Sequence, residues 1–220
     1  MQPVIYYCYD AYCGWCYGFS PVIKKIYDEY KDRLSFEVLS GGMIPADDPK
    51  SIAATAGYIN SAYKRVEELT GIKFGEDYLW HIRHPGQSDW FPHSEKAAIA
   101  LCVFKELYPD QQVLFVADMQ YSLHYEGRDL TDDEAYQHLL EKYGINPEEF
   151  YKKLHSTVYK EEAYYEFALC RQLQVTAFPA VLLQAGDTKF YLVTRGYTSY
   201  ENVKARIENI MKEISTSEAS

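Results

Sequence analysis

The sequence predicts an α/β chain in which a β-α-β unit and a β-β-α unit are separated by a long run of helices. Three observations predict it. Residues 4–9, Val4-Ile5-Tyr6-Tyr7-Cys8-Tyr9, form a β-branched and aromatic run that gives way to a helical spacing and then to an alternating stretch at 34–39. From about residue 49 to 173 the hydrophobic period is helical and convincing strand runs are absent. Finally, two short apolar runs flank the turn residues Ala185-Gly186-Asp187 and lead into a last amphipathic segment.

The first run is apolar on both faces, so it reads as a buried strand closed by Asp10, with Cys8 in the core. Residues 13–33 then place Phe19, Val22, Ile23, Ile26, Tyr27 and Tyr30 on one helical stripe, which Pro21 should kink. Leu34-Ser35-Phe36-Glu37-Val38-Leu39 alternates and stops at Gly41-Gly42, a second strand. A helix between the two strands makes them parallel and the crossover right-handed.

Within the helical run, residues 51–70 form one helix stopped by Gly71, and residues 94–107 another, ended by Pro109. A helix over 114–125 follows. Thr131-Asp132-Asp133-Glu134 reads as a capping box opening a helix that Gly144 ends. Asn146-Pro147-Glu148-Glu149 offers a cap, a first-turn proline and two acids at the favourable dipole end, and a further helix spans 157–173. After Phe178-Pro179, the runs 180–184 and 190–195 are expected to pair antiparallel. Ser199 starts a closing helix through Val203, Ile207, Ile210, Met211 and Ile214, and residues 215–220 are expected to fray. The expected division is a sheet domain of residues 1–43 and 174–215 with an inserted helical domain of residues 44–173.

At 220 residues and 47% hydrophobic content the chain buries a sizeable core. A net charge of -10 argues against nucleic acid or an anionic membrane as partner. No stretch of about 18 apolar residues occurs and residues 1–10 carry no export signal, so no membrane association and a cytoplasmic location are expected. The five cysteines, an odd number, fit that compartment better than a secreted, disulfide-stapled domain.

Chemistry is concentrated in Cys13-Gly14-Trp15-Cys16, set between the first strand and the first helix. A thiol at a helix start lies beside unpaired backbone N–H groups and the positive end of the dipole, and both stabilise a thiolate. Cys13 is therefore the expected nucleophile. Cys16, one turn on, is the expected resolving thiol and the less exposed sulfur. Such a pair also serves as half a zinc site, but no second Cys pair or His-x-x-x-His cluster accompanies it, so no metal is expected. His81 and His84 read as a solvated helix face. Asp10 stands three residues before Cys13; a proton relay to Cys16 competes there with a turn or capping role, which is the commoner use. Pro179 taken alone is an ordinary strand-start proline.

Cys13-Gly14-Trp15-Cys16 after the first strand and Phe178-Pro179 before the third, in this order of elements, resemble the thioredoxin fold with a large inserted all-helical domain. The whole pattern is similar to the DsbA family of thiol-disulfide oxidoreductases, in particular its FrnE-like and 2-hydroxychromene-2-carboxylate isomerase-like branch. Trp90-Phe91-Pro92-His93-Ser94 and Tyr125-Glu126-Gly127-Arg128-Asp129-Leu130 look like segments of that family's helical part. The resemblance implies that Cys13 and Cys16 are the catalytic pair and that Pro179 is a cis-proline. It also implies that Trp15, Phe178 and Pro179 meet the substrate, Phe178 through its backbone. No cofactor is implied. The partners would be protein or small-molecule thiols and disulfides, glutathione among them.

One departure matters. Strongly oxidising relatives carry His between the cysteines, whereas Gly14-Trp15 contributes no charge, so a milder couple acting as reductase or isomerase is expected. Trp15 either offers an apolar face to a thiol substrate or packs on the insertion. Two other functions fit the same fold: a glutathione-dependent isomerase or transferase of the kappa-like branch, in which Cys16 has no task, and a peptide-binding or chaperone-like module without turnover.

Overall fold

The computed structural model describes residues 2–218, and of residues 217 and 218 the backbone only. Strand β1 (Val4–Tyr9), helix α1 (Gly14–Tyr30) and strand β2 (Ser35–Ser40) form the first unit. Helices α2 (Ala53–Thr70), α3 (Glu76–Arg83), α4 (Glu95–Leu107), α5 (Gln112–His124), α6 (Gln137–Tyr143), α7 (Pro147–Leu154) and α8 (Thr157–Gln172) follow. Strands β3 (Ala180–Ala185) and β4 (Lys189–Arg195) and helix α9 (Tyr200–Glu218) close the chain. The mixed sheet has the order β2-β1-β3-β4, with β1 parallel to β2 and antiparallel to β3, and β3 antiparallel to β4. This is the thioredoxin-type arrangement with the helices inserted between β2 and β3.

Why β1 is apolar throughout follows from what covers it. Ile5, Tyr7 and Tyr9 join Phe19, Ile23 and Ile26 of α1 in the main core, while Cys8 faces a second cluster with Leu39, Cys170, Ala180 and Leu182. Both faces of β1 are covered, so in this strand a period of two does not show as polar alternation. The main core is continuous from the sheet into α4, α5 and α6 through Val103, Phe104, Phe115 and Leu140.

Helix α1 runs through Pro21. The carbonyl that a proline at this position leaves without its N–H donor is that of Tyr17, and the Ser20 hydroxyl donates to it at 2.8 Å. Gly144 ends α6 in the left-handed conformation at φ 65°, and Asn146 caps α7 by accepting the Glu149 N–H at 3.1 Å.

Thr131 departs from its expected role. Instead of opening a capping box, its N–H and hydroxyl both donate to Asp129 Oδ1, at 2.9 and 2.8 Å. The backbone then makes a 3-10 turn at Asp133–Tyr136 with Asp132 at its start and no side-chain cap. The local turn of Asp129 competes successfully for the same hydroxyl. Likewise His81 is not on a solvated face: its ring lies 3.9 Å from that of Trp90 and its Nδ1 is 2.8 Å from Ser88 Oγ. Fraying does not begin at Ser215, because α9 continues to Glu218; residues 219 and 220 lie outside the described residues.

Among the described residues the β2 margin of the sheet has no strand beside it, and side chains take that place. Gln112 Oε1 accepts the Val38 N–H at 2.8 Å while its Nε2 donates to the Phe36 carbonyl at 3.2 Å. Glu166 Oε2 accepts the Ser40 N–H, also at 2.8 Å. Glu166 is buried and is joined at 2.6 Å by Lys105, which also reaches Glu37; the two carboxylates hold the Lys105 ammonium above its ordinary range against the opposing effect of burial.

Candidate active site

Cys13 is the N-cap of α1, with extended backbone angles (φ -81°, ψ 106°), and its Sγ accepts the Cys16 N–H at 3.2 Å. The cap position arises because the Cys13 N–H is tied back to the Asp10 carbonyl at 3.1 Å and the Tyr17 N–H begins the helical ladder on the Cys13 carbonyl. A sulfur at this place takes over one of the helix's orphan donors. Cys16 lies in the first turn and is fully buried, whereas Cys13 keeps 7% of its surface. Burial, and after it the neighbouring Cys13, push the Cys16 thiol well above its ordinary value.

Across from Cys13 stands the Phe178-Pro179 peptide bond, which is cis. The Cys13 thiol points its Sγ at the Phe178 carbonyl, 3.7 Å away. Phe178 is held from behind by Gly41 at the end of β2: a Cβ added to Gly41 would lie 2.0 Å from the ring's Cζ. Gly41→Ala is therefore expected to displace Phe178 from the sulfur at a cost of about 1–3 kcal/mol, the usual range for overpacking. Thermal unfolding and insulin reduction check this together; a variant matching the parent in both would show the ring to be freely movable.

Trp15 neither points away from the protein nor packs on the helical insertion alone. Its ring approaches Tyr197 of the loop after β4 at 6.3 Å, and the residue also forms part of a cavity over Cys13. That cavity, of 430 Å³, is enclosed chiefly by Trp15, Ile59, Tyr63, Phe74, Trp90 and Phe178. The structure thus brings Cys13, Cys16, Trp15, Phe178 and Pro179 to one place, although Cys16 and Phe178 are 162 positions apart in sequence.

Buried polar residues complete the surroundings. Asp10 is buried at the base of the loop; its Oδ1 accepts the Tyr12 N–H at 3.0 Å and its Oδ2 the Met43 N–H at 2.7 Å. Burial raises its carboxyl, and the Met43 N–H, the Ser94 hydroxyl and the Tyr12 N–H pull it back. Ser94 in turn accepts the Ile44 N–H at 2.9 Å. Asp10 thus fixes the cysteine loop to the chain after β2, the turn-forming role favoured by its position. The signal for Ser94 was present in the segment Trp90-Phe91-Pro92-His93-Ser94, two of whose members, Trp90 and Pro92, also line the cavity.

His124 carried no local signal. It is completely buried, its Nε2 lies 3.1 Å from the Ala11 carbonyl, and its ring stacks on Tyr17 at 5.0 Å. Among the described residues Nδ1 has no partner, and because a carbonyl only accepts, the neutral ring carries its proton on Nε2 and donates it to Ala11. Burial brings His124 down to about 3. Cys8, Cys102 and Cys170 are buried elsewhere. Among the described residues no group of three or more His, Cys, Asp or Glu side chains is placed to hold a metal ion. No helix among them is long and apolar enough to cross a membrane.

Residues 4–208 match the family described as the DSBA-like thioredoxin domain. Among solved structures, a chain from Nitrosomonas europaea proposed as a protein disulfide isomerase superimposes with a TM-score of 0.85 at 23% identity, covering 97% of this chain and 99% of that one. The cytosolic disulfide reductase DsbM from Pseudomonas aeruginosa gives 0.75 at 22% identity, with 95% and 98% covered. The same enzyme with GSH gives 0.74 at 21%, with 95% and 99% covered. The fold is also shared with 2-hydroxychromene-2-carboxylate isomerase, at a TM-score of 0.63 and 14% identity over 98% of both chains. A curated relative, the ClpXP adapter protein SpxH of Bacillus subtilis (strain 168), is 21% identical over 177 residues. That alignment takes in 80% of this chain, which spans about half, 56%, of SpxH.

Proposed function

The chain belongs to the DSBA-like thioredoxin domain family, and from that premise we propose that it is a cytoplasmic dithiol–disulfide oxidoreductase of the reductase or isomerase type. One observation carries the reading: the Cys13 sulfur accepts a helix N-terminal N–H at 3.2 Å and faces the carbonyl before a cis-proline at 3.7 Å, with a second thiol one turn behind it. In the forward direction the Cys13 thiolate attacks one sulfur of a substrate disulfide. The substrate S–S bond breaks, a mixed disulfide with Cys13 forms, and the released thiolate takes a proton. Cys16, losing its proton, then attacks the Cys13 sulfur. The mixed disulfide breaks, the second substrate thiol leaves, and the Cys13–Cys16 disulfide holds the two-electron deficit until an external dithiol reduces it.

Gly14 and Trp15 place no charge next to the sulfur, which favours the reducing direction over strong oxidation. Protein or small-molecule disulfides are the substrates, and Trp15, Phe178 and Pro179 are the residues that meet them. The likeness to DsbM, a cytosolic disulfide reductase, supports the direction and the compartment. A glutathione-dependent isomerase or transferase is the second reading, favoured by the fold shared with 2-hydroxychromene-2-carboxylate isomerase; it leaves Cys16 without a task. Insulin reduction with dithiothreitol, run beside conjugation of glutathione to an aromatic electrophile, separates the two. Turnover is expected in the first assay and none above background in the second; the reverse pattern would transfer the assignment.

A further inference from the structure

A separate cleft of 550 Å³ lies between α1 and α5 and shares no lining residue with the cavity over Cys13. Ser20, Lys24 and Asp28 reach it from α1 at helical spacing, and Ala117, Tyr121 and Tyr125 from α5 and its C-cap. The chain after α2 completes the lining, and the Tyr17 hydroxyl ties it to α1 by donating to the Lys73 carbonyl at 2.9 Å. Tyr121 and Tyr125 stack at 4.7 Å and 17°, and each is 43% exposed. Tyr164, equally exposed, donates to Glu95 at 2.6 Å, whereas the hydroxyls of Tyr121 and Tyr125 donate to no group among the described residues.

The charge in this cleft is unlike that of the whole chain. Its two acids are matched by lysines outside it, Asp118 by Lys142 at 2.6 Å and Asp28 by Lys31 at 3.5 Å. Lys73 pairs with Glu67 at 3.2 Å. Among the described residues Lys24 and Lys25 form no ion pair; Lys25 rests over Tyr200, 3.8 Å from the ring centroid, and Lys24 is half-buried. The local balance is therefore positive, although the chain carries -10. At physiological ionic strength charges more than about 8 Å away are largely screened, so the near lysines decide what enters.

We propose that this cleft binds a small aromatic phosphate, the class to which nucleotides belong, with its ring on the Tyr121–Tyr125 pair and its phosphate against the ammonium groups of Lys24 and Lys25. The site uses neither cysteine, so it is independent of the oxidoreductase reading. Exposed tyrosine rings offer a face on which a planar ring stacks, whatever its edge carries. Two neighbouring cations suit a dianion better than a single carboxylate. A neutral ring meets only the tyrosines and inorganic phosphate only the lysines, whereas a ligand carrying both engages the two halves at once. The volume of 550 Å³ is within the range of about 300–1,000 Å³ usual for small-molecule sites.

The test titrates the full-length protein by calorimetry with AMP, phenyl phosphate, adenosine and inorganic phosphate. AMP is expected to bind about tenfold or more tightly than either adenosine or inorganic phosphate, and phenyl phosphate to compete with it. Tyr125→Ala and Lys24→Glu are each expected to weaken AMP by about tenfold. Tyr125→Phe, which keeps the ring, and Tyr165→Ala, at an exposed tyrosine outside the cleft, should leave its affinity within about twofold. Should Tyr125→Ala lower the unfolding temperature, Lys24→Glu set against Lys24→Arg, which restores the cation, carries the comparison. Adenosine or inorganic phosphate binding as tightly as AMP, an equal loss on Tyr165→Ala, or no binding of AMP and phenyl phosphate at millimolar concentration would overturn the site.

Discussion

Cys16→Ser is expected to convert the protein into a trap. Cys13 keeps its place at the helix start, attacks a substrate disulfide and stays joined to it, because no second thiol remains to release the complex. Incubation with reducible proteins followed by non-reducing electrophoresis should show covalent adducts that dithiothreitol dissolves. Cys13→Ser should form none and should bring insulin reduction down to the rate of dithiothreitol alone. The buried Cys16 cannot substitute for it, having no exposed surface. Adducts on the Cys13→Ser protein instead would exchange the two roles. A Cys16→Ser protein that traps nothing but conjugates electrophiles to glutathione would favour the second reading.

The other large effect concerns acid. His124 in the folded chain is lowered from 6.5 to about 3 by burial, while in the unfolded chain it titrates near its ordinary value. Below about pH 6.5 the unfolded chain therefore binds a proton that the folded one refuses, and stability falls as pH falls. The loss grows by roughly 1.4 kcal/mol per pH unit and amounts to several kcal/mol by about pH 3. Above about pH 7 this group contributes no pH dependence. His124→Gln retains an N–H for the Ala11 carbonyl but cannot take up the proton. Urea unfolding of both proteins from about pH 7 to pH 4 should show the parent's advantage shrinking steadily, whatever the carboxylates common to both do. A constant gap over that interval would falsify the assignment.

What the sequence made legible follows from the range over which each feature is decided. The strands, most of the helix ends and the order of elements are local matters of periodicity, caps and turn residues, and Gly71, Gly144, Asn146 and Pro147 act as their neighbours indicate. The cysteine loop was legible because a whole motif lies within four residues. Thr131 was misread since two local motifs compete for one hydroxyl, and the winner depends on Asp129, outside the four-residue pattern. The buried polar residues were invisible for the opposite reason. Gln112, Glu166 and His124 satisfy backbone groups 74, 126 and 113 positions away, so nothing adjacent to them in sequence marks their partners. Pro179 lies between these cases: its neighbours suggest only a strand start, and its meaning came from a pairing with Cys13 that the family pattern supplied.

The side chains along β2 have a consequence for company rather than for catalysis. A protein with the proposed activity would meet many segments ready to extend any open sheet, and a bare margin would gather them irrespective of whether they carry a disulfide. With the N–H groups of Val38 and Ser40 already accepted by Gln112 and Glu166, that margin offers an arriving strand little to pair with. Strand addition is disfavoured on that side, which under the proposed oxidoreductase reading keeps extended segments from lodging away from the sulfur.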